Sequence, residues 1–323
     1  MAYPTLPDYK KLIGDIELYS QLQHEHGATG IEPILAQAKE ALEAAVCALQ
    51  QLPIDPELAR QEPDDLPGIR ALRPAGPRRI WNTLPEAAYR QRLAGALLGR
   101  FAGCTLGAPV EFWSVEEMER WSKELGDTFP PVDYWSAIPY PYRLRYEVSR
   151  CDAYTRPKMR GVPVDDDITY TILGLLIAEE YGVNFSVADA GKAWLRYLPM
   201  ACTAEDIALK NLKKGLPAEE VGASENPYCA WIGADIRSDP WGYLAPGLPE
   251  AAAGMAYRDA YLSHRRNGIY GEMYFSAVIA AAFTVDHPVE ALEIGLSEIP
   301  ADCALAREVR WALEQAPKIT NYR

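Results

Sequence analysis

The chain has 323 residues, 49% of them hydrophobic and 24% charged, which suits one large globular domain or two ordinary ones with a sizeable core. Its net charge is −13, from 45 acidic and 32 basic residues. A surface this acidic repels phosphate backbones at long range, which argues against duplex nucleic acid as a partner and leaves a small phosphorylated ligand open.

The opening stretch MAYPTLPDYKKLIGD has neither a basic n-region nor an apolar h-region, so no secretory signal is expected. Residues 31–52 place Ile31, Ile34, Leu35, Ala38, Leu42, Ala45, Val46 and Leu49 at helical spacing, with Glu40 and Glu43 on the polar side. They predict an amphipathic helix docked on the main body. The pair His24 and His26 lacks further ligands nearby and reads as a solvated helix end. Residues 53–80 bring a cluster of prolines that breaks the periodicity. They read as an extended connector, giving an N-terminal extension over 1–80 and a main domain over 81–323.

Helices are predicted over 86–106, 165–181, 186–197, 203–213, 249–264, 271–284, 287–296 and 303–316. In the first of these, Gly95, Gly99, Gly103 and Gly107 recur every fourth residue and fall on one stripe. Each glycine costs about 1 kcal/mol relative to alanine in a helix interior. Close approach by a neighbouring helix is the expected compensation, with Glu111 delivered just past the helix end. No stretch approaches the roughly 20 uninterrupted apolar residues of a membrane span, and Arg100 argues against a membrane glycine motif.

The loop 127–164 is rich in Pro, Trp and Tyr and reads chiefly as self-packed; within it YRLRYEVSR is the best candidate for a short hairpin. Asp165, Asp166 and Asp167 then precede the apolar run ITYTILGLLIAEE. Asp165 is the expected N-cap, and the helix dipole favours each carboxylate by about 0.3–1 kcal/mol. Two unit charges 4 Å apart repel by about 4 kcal/mol at an effective dielectric near 20. A bound hard cation, Mg²⁺, Mn²⁺ or Ca²⁺, would relieve that repulsion. The fold class predicted is an all-α multi-helix bundle with its function on the loops. Six cysteines without a Cys-x-x-Cys pair suit free thiols in a reducing compartment, and a cytoplasmic location is expected. Neither a serine-hydrolase elbow nor a dinucleotide-binding glycine motif is present.

GALLGRFAGCTLGAPVE, DDDITYTILGL, WIGADIRSDPWGYLAPG and DAYLSHRRNGIYGEMYFSAVIAAAF occur in that order. Together they resemble the ADP-ribosylglycohydrolase family, of the dinitrogenase-reductase-activating type, from about residue 91 to about 300. The resemblance implies an orthogonal all-helical fold with a pair of Mg²⁺ ions in a central cleft, and hydrolysis at the anomeric carbon of ADP-ribose. Asp166 and Asp167 match the metal-binding aspartate pair, with Asp165 where a hydroxyl residue is usual and Ile168 where another is usual. Glu111 matches the acidic residue near the metals, a candidate ligand and base alongside Asp166. Gly233, Ala234 and Arg237 match the loop facing ADP-ribose, and His264, Gly268 and Tyr270 fall in the later turn at the binding cleft. The family's second metal motif, Asp-x-Asp-Thr near the C-terminus, has no counterpart before the chain stops at PKITNYR. That departure leaves three expectations: a truncated piece of a longer enzyme, which the abrupt ending favours; ligands supplied by another chain; or a member that binds without turnover.

Overall fold

The structure is a computed structural model that describes residues 3–81, 83 and 85–321. It is all-α apart from one two-stranded hairpin among the described residues. The chain divides into two units, Met1–Leu58 and Ala59–Arg323.

The first unit carries α1 (Tyr9–Glu25) and α2 (Ile31–Gln50). The Asp8 side chain caps α1 by accepting from the Lys11 N–H at 2.9 Å. Neither helix buries a residue. On α2, Ile34 is 67% and Leu49 68% exposed.

The second unit starts well before Trp81. Its first elements are the end of α3 (Pro56–Gln61) and α4 (Leu66–Leu72), and Ile69 of α4 is fully buried in the core. Arg73 pairs with Glu250 and Glu298 at 2.5 and 2.6 Å, and Arg78 with Glu298 at 2.9 Å. The compact units thus divide after Leu58, earlier than the expected end of the connector near 80. Prolines interrupt the helical period of this segment, but its apolar and charged side chains still anchor it.

Then follow α5 (Glu86–Gly107), α6 (Val115–Leu125), the strands β1 (Leu144–Arg145) and β2 (Ser149–Arg150), α7 (Asp166–Tyr181), α8 (Val187–Tyr197) and α9 (Thr203–Lys213). The chain continues through α10 (Ala218–Val221), α11 (Ser238–Leu244), α12 (Pro249–Ala260), α13 (Asn267–Ala282), α14 (Pro288–Gly295) and α15 (Ala304–Gln315). All eight helices predicted beyond residue 80 are present, within a few residues at their ends. Helices α1, α3, α4, α6, α10 and α11 were not anticipated, although Ser114 and Glu117 form a capping box at the start of α6.

At the centre lies α13, packed against α11, α12 and α14. Its sequence is apolar or small on every face except at Asn267 and Glu272, and most of its residues are buried. Helix α7 passes so close to α11 that a Cβ on Gly174 would collide with Pro240, which is why glycine stands there.

Helix α5 lies at the surface. Glu86–Val110 is long and apolar enough to cross a membrane by length and composition, and only 11% of its most apolar 18-residue stretch is buried. It is tied to the unit by Tyr89, whose hydroxyl donates to the Tyr243 carbonyl at 3.1 Å, and by Arg100, which donates to the Ile236 carbonyl at 2.6 Å. The expectation that a neighbouring helix covers its glycines is overturned. A Cβ at Gly95, Gly99, Gly103 or Gly107 would meet nothing within 4 Å. The bare stripe borders open space instead of a packed helix.

Candidate active site

The first turn of α7 is built by its own aspartates. Asp165 is extended and accepts from the Asp167 N–H at 3.2 Å, as an N-cap does. Thr169 Oγ1 donates to the Asp165 carbonyl at 2.8 Å. Below this turn Ile168, Tyr170, Leu173 and Ile177 are buried, so the turn cannot move off the core without uncovering them. Three carboxylates are thereby held together, with Asp165 1% exposed.

Two arginines remote in sequence answer their repulsion. Arg145, at the end of β1, donates from Nε to Asp165 Oδ2 at 2.8 Å and from Nη1 to Glu111 Oε2 at 2.6 Å. Arg100 of α5 donates to the Asp167 carbonyl at 2.6 Å and to Asp239 Oδ2 at 2.9 Å, and lies 3.6 Å from Asp167 Oδ1. The Tyr146 hydroxyl donates to Asp166 Oδ1 at 2.6 Å. Burial pushes the Asp165 carboxyl up to about 6, with the neighbouring Asp166 adding to the rise and Arg145 opposing it. Burial also raises Asp167, against the pull of Arg100. Burial disfavours the charge of Arg145, but its bonds to Glu111 and Asp165 outweigh this and hold the guanidinium above its ordinary range.

A cavity of about 790 Å³ opens over this turn. Asp166, Asp167 and Glu111 line it together with Gly103 and Gly107 of the bare stripe and with Gly233. Its far wall holds Cys202 and Thr203 at the start of α9, and Trp231 and Ile232. Gly233 has no room for a side chain, since a Cβ there would lie 2.5 Å from Glu205 Oε1. Of the expected residues, then, Glu111, Asp166, Asp167 and Gly233 meet at one cavity. Asp165 stands behind them, turned toward Arg145.

The other residues expected to contact substrate do not line this cavity. Arg237 is fully buried, donating to Asp259 Oδ2 at 2.6 Å, to Glu205 Oε1 at 2.7 Å and to Glu272 Oε2 at 3.3 Å. It also lies over the rings of Tyr170 and Trp194. Ala234 is buried beside it. His264 is buried with Nδ1 2.8 Å from Ser263 Oγ, and burial followed by the nearby Arg237 and Arg265 keeps it neutral. Gly268 abuts the Cys229 carbonyl, and the Tyr270 hydroxyl donates to the Pro63 carbonyl at 2.5 Å. These residues form the packed framework behind the cavity, because their partners come from α7, α8, α9, α12 and α13 and from the segment before α4 and close around them. In the aromatic loop, Trp135 is buried and donates to the Leu106 carbonyl at 3.2 Å, while Tyr140 and Tyr142 are exposed.

Arg145, Tyr146, Arg100 and Glu205 were not singled out as site residues in the sequence. Arg100 carried a signal: a charge midway along an apolar, glycine-rich helix needs a partner. Arg145 carried none until the hairpin folds.

The tightest donor cluster among the described residues is Cys104, Asp165 and Asp167, whose ligand atoms lie within 4.8 Å of one another. Burial, then Asp165 and Asp167, raises the Cys104 thiol, so it stays protonated and is a poor ligand for a hard ion. The oxygen donors that do fit Mg²⁺ or Mn²⁺ and face the cavity are Asp166 and Asp167, with Glu111 across from them. A family model described as ADP-ribosylglycohydrolase matches residues 85–321, and no curated protein and no solved structure matches the chain. That match takes in well over half of the chain and every residue around the cavity, and the chain belongs to the ADP-ribosylglycohydrolase family.

Proposed function

We propose that this chain hydrolyses the bond between the anomeric carbon of ADP-ribose, or of a related N-ribosyl group, and its acceptor. The observation that carries the reading is the meeting of Asp166, Asp167 and Glu111 around one cavity beside Gly233. Its volume of about 790 Å³ suits a nucleotide-sized ligand.

Asp166 and Asp167 would hold a divalent ion, Mg²⁺ or Mn²⁺, which when bound supplies Lewis-acid polarisation of the sugar hydroxyls and of a water. Glu111 is 48% exposed at the cavity and fixed by Arg145, so its carboxylate can take the proton of the attacking water. The water oxygen bonds to the anomeric carbon, the bond to the acceptor breaks, and the acceptor leaves with a proton. Helix α9 starts at the cavity wall without a side-chain cap, and the N–H groups of its first turn suit a diphosphate. The reading places the protein in the cytoplasm, where its six free cysteines stay reduced.

The test is release of ADP-ribose from arginine-linked and serine-linked ADP-ribosyl peptides, with Mg²⁺ and with EDTA. Chelation should abolish release, and Asp167→Ala should lower it by at least about 100-fold. Full activity in Asp167→Ala would sink the proposal. A second reading, a member that binds nucleotide without turnover, is favoured by the guanidinium already seated between Glu111 and Asp165. It expects ADP-ribose binding that EDTA leaves unchanged and no release from either peptide.

A further inference from the structure

We propose that Arg145 is a tethered cation that competes with the divalent ion for the acidic mouth of α7, and that the arm bearing it is displaced when the ion binds. The inference rests on the reading of Asp166 and Asp167 as ion ligands, and it concerns how access to them is regulated.

All three guanidinium nitrogens of Arg145 are engaged at the mouth: Nε with Asp165, Nη1 with Glu111, and Nη2 with the Tyr146 hydroxyl at 3.1 Å. The Tyr146 hydroxyl in turn donates to Asp166. Two successive residues of one hairpin thus occupy three of the four carboxylates at the site. A guanidinium with this fork geometry provides charge neutralisation of the kind an ion would provide, on Glu111 and on Asp165 beside the proposed ion ligands. An ion drawing Glu111 and Asp166 toward itself takes these acceptors from the arm, and Arg145 is then held by Asp165 and by the longer bond from Nη1 to the Ala108 carbonyl at 3.4 Å.

The arm is built to yield. Its strands are two residues each, paired only with one another. Tyr146 and Glu147 sit in the left-handed region, with φ of 53° and 58°, without the glycine or asparagine that tolerates it. Leu144 and Val148 are 51% and 65% exposed, so little apolar burial anchors the arm. Its attachment to the unit runs chiefly through the polar bonds that an ion would contest.

The experiment is Mn²⁺ binding to the full chain without nucleotide, read by the loss of the free-ion electron paramagnetic resonance signal. Arg145→Gln should bind Mn²⁺ at least about tenfold more tightly than the wild type, since the competing charge is gone. Arg150→Gln, on the same arm but paired with Asp152, should match the wild type. In the wild type, amide hydrogen exchange over residues 143–150 should speed up when Mn²⁺ is added. This arm of the test does not depend on the folding of any variant. Equal or weaker binding by a folded Arg145→Gln, or exchange unaltered by saturating Mn²⁺, overturns the proposal while leaving the hydrolase reading to its own assay. Failure of both wild type and variant to bind Mn²⁺ at millimolar concentration overturns it together with the ion-dependent mechanism.

Discussion

Replacing Arg237 by methionine separates a framework role from a ligand-contacting one. The guanidinium is 2% exposed and touches Glu205, Asp259 and Glu272, themselves 0–4% exposed. Methionine keeps most of the volume, so the cost is electrostatic: three carboxylates lose their shared partner in a place water does not reach. Removing one partner of a buried ion pair costs about 3–5 kcal/mol, a large part of the 5–15 kcal/mol that holds a typical domain together. Protonation limits the damage. Burial already pushes Glu205 and Glu272 upward, and Arg237 is what opposes that rise in both. Without it the two acids bind protons more readily in the folded state, so the penalty should shrink as the pH falls from 8 toward 5. Urea unfolding followed by tryptophan fluorescence is the assay, since Trp194 lies over Arg237 and Trp241 Nε1 donates to Glu272 at 2.7 Å. A loss under about 1 kcal/mol, accompanied by weaker ADP-ribose binding, would refute this reasoning and restore Arg237 to the ligand site.

Burial, opposed by Arg237 and reinforced by Glu205, pushes the Asp235 carboxyl from its ordinary 3.8 up to about 7, and its Oδ1 has no hydrogen-bond partner. The folded state therefore keeps a proton that the unfolded chain has lost, and stability should fall as the pH rises from about 4 to about 7, then level off. Asp235→Asn should flatten that slope and raise stability at pH 8 by up to about 4 kcal/mol, measured by urea unfolding across the range; identical slopes in both proteins would count against it. Gly103→Ala adds a methyl that meets nothing within 4 Å, so thermal unfolding should show a gain of up to about 1 kcal/mol. The same methyl intrudes on the cavity beside Asp166 and Asp167, and calorimetry should show weaker ADP-ribose binding. Stabilisation with undiminished binding would mean the ligand lies elsewhere.

Local pattern was enough for the helices that build the site. The apolar positions after Asp165–Asp167 are spaced for a helix, the aspartates cap it, and both features act within four residues of one another. The hairpin in YRLRYEVSR was legible for the same reason, and Glu111, Asp166, Asp167 and Gly233 do share one cavity. What neutralises the aspartates was not legible. Arg145 reaches Asp165 across 20 residues and Glu111 across 34, and Arg100 reaches Asp167 across 67. Nor were the carboxylates legible that lie 22, 32 and 35 residues away and surround Arg237, which the resemblance placed in a ligand-facing loop. The glycine stripe was read as a packing seam because spacing tells which residues share a helix face, and only the surrounding chain decides whether that face meets another helix or an open cavity. Short-range periodicity and capping are properties of the sequence by itself. Charge compensation, burial and the emptiness beside a helix are properties of the packed whole, since each depends on groups that only the tertiary fold brings within a few ångströms.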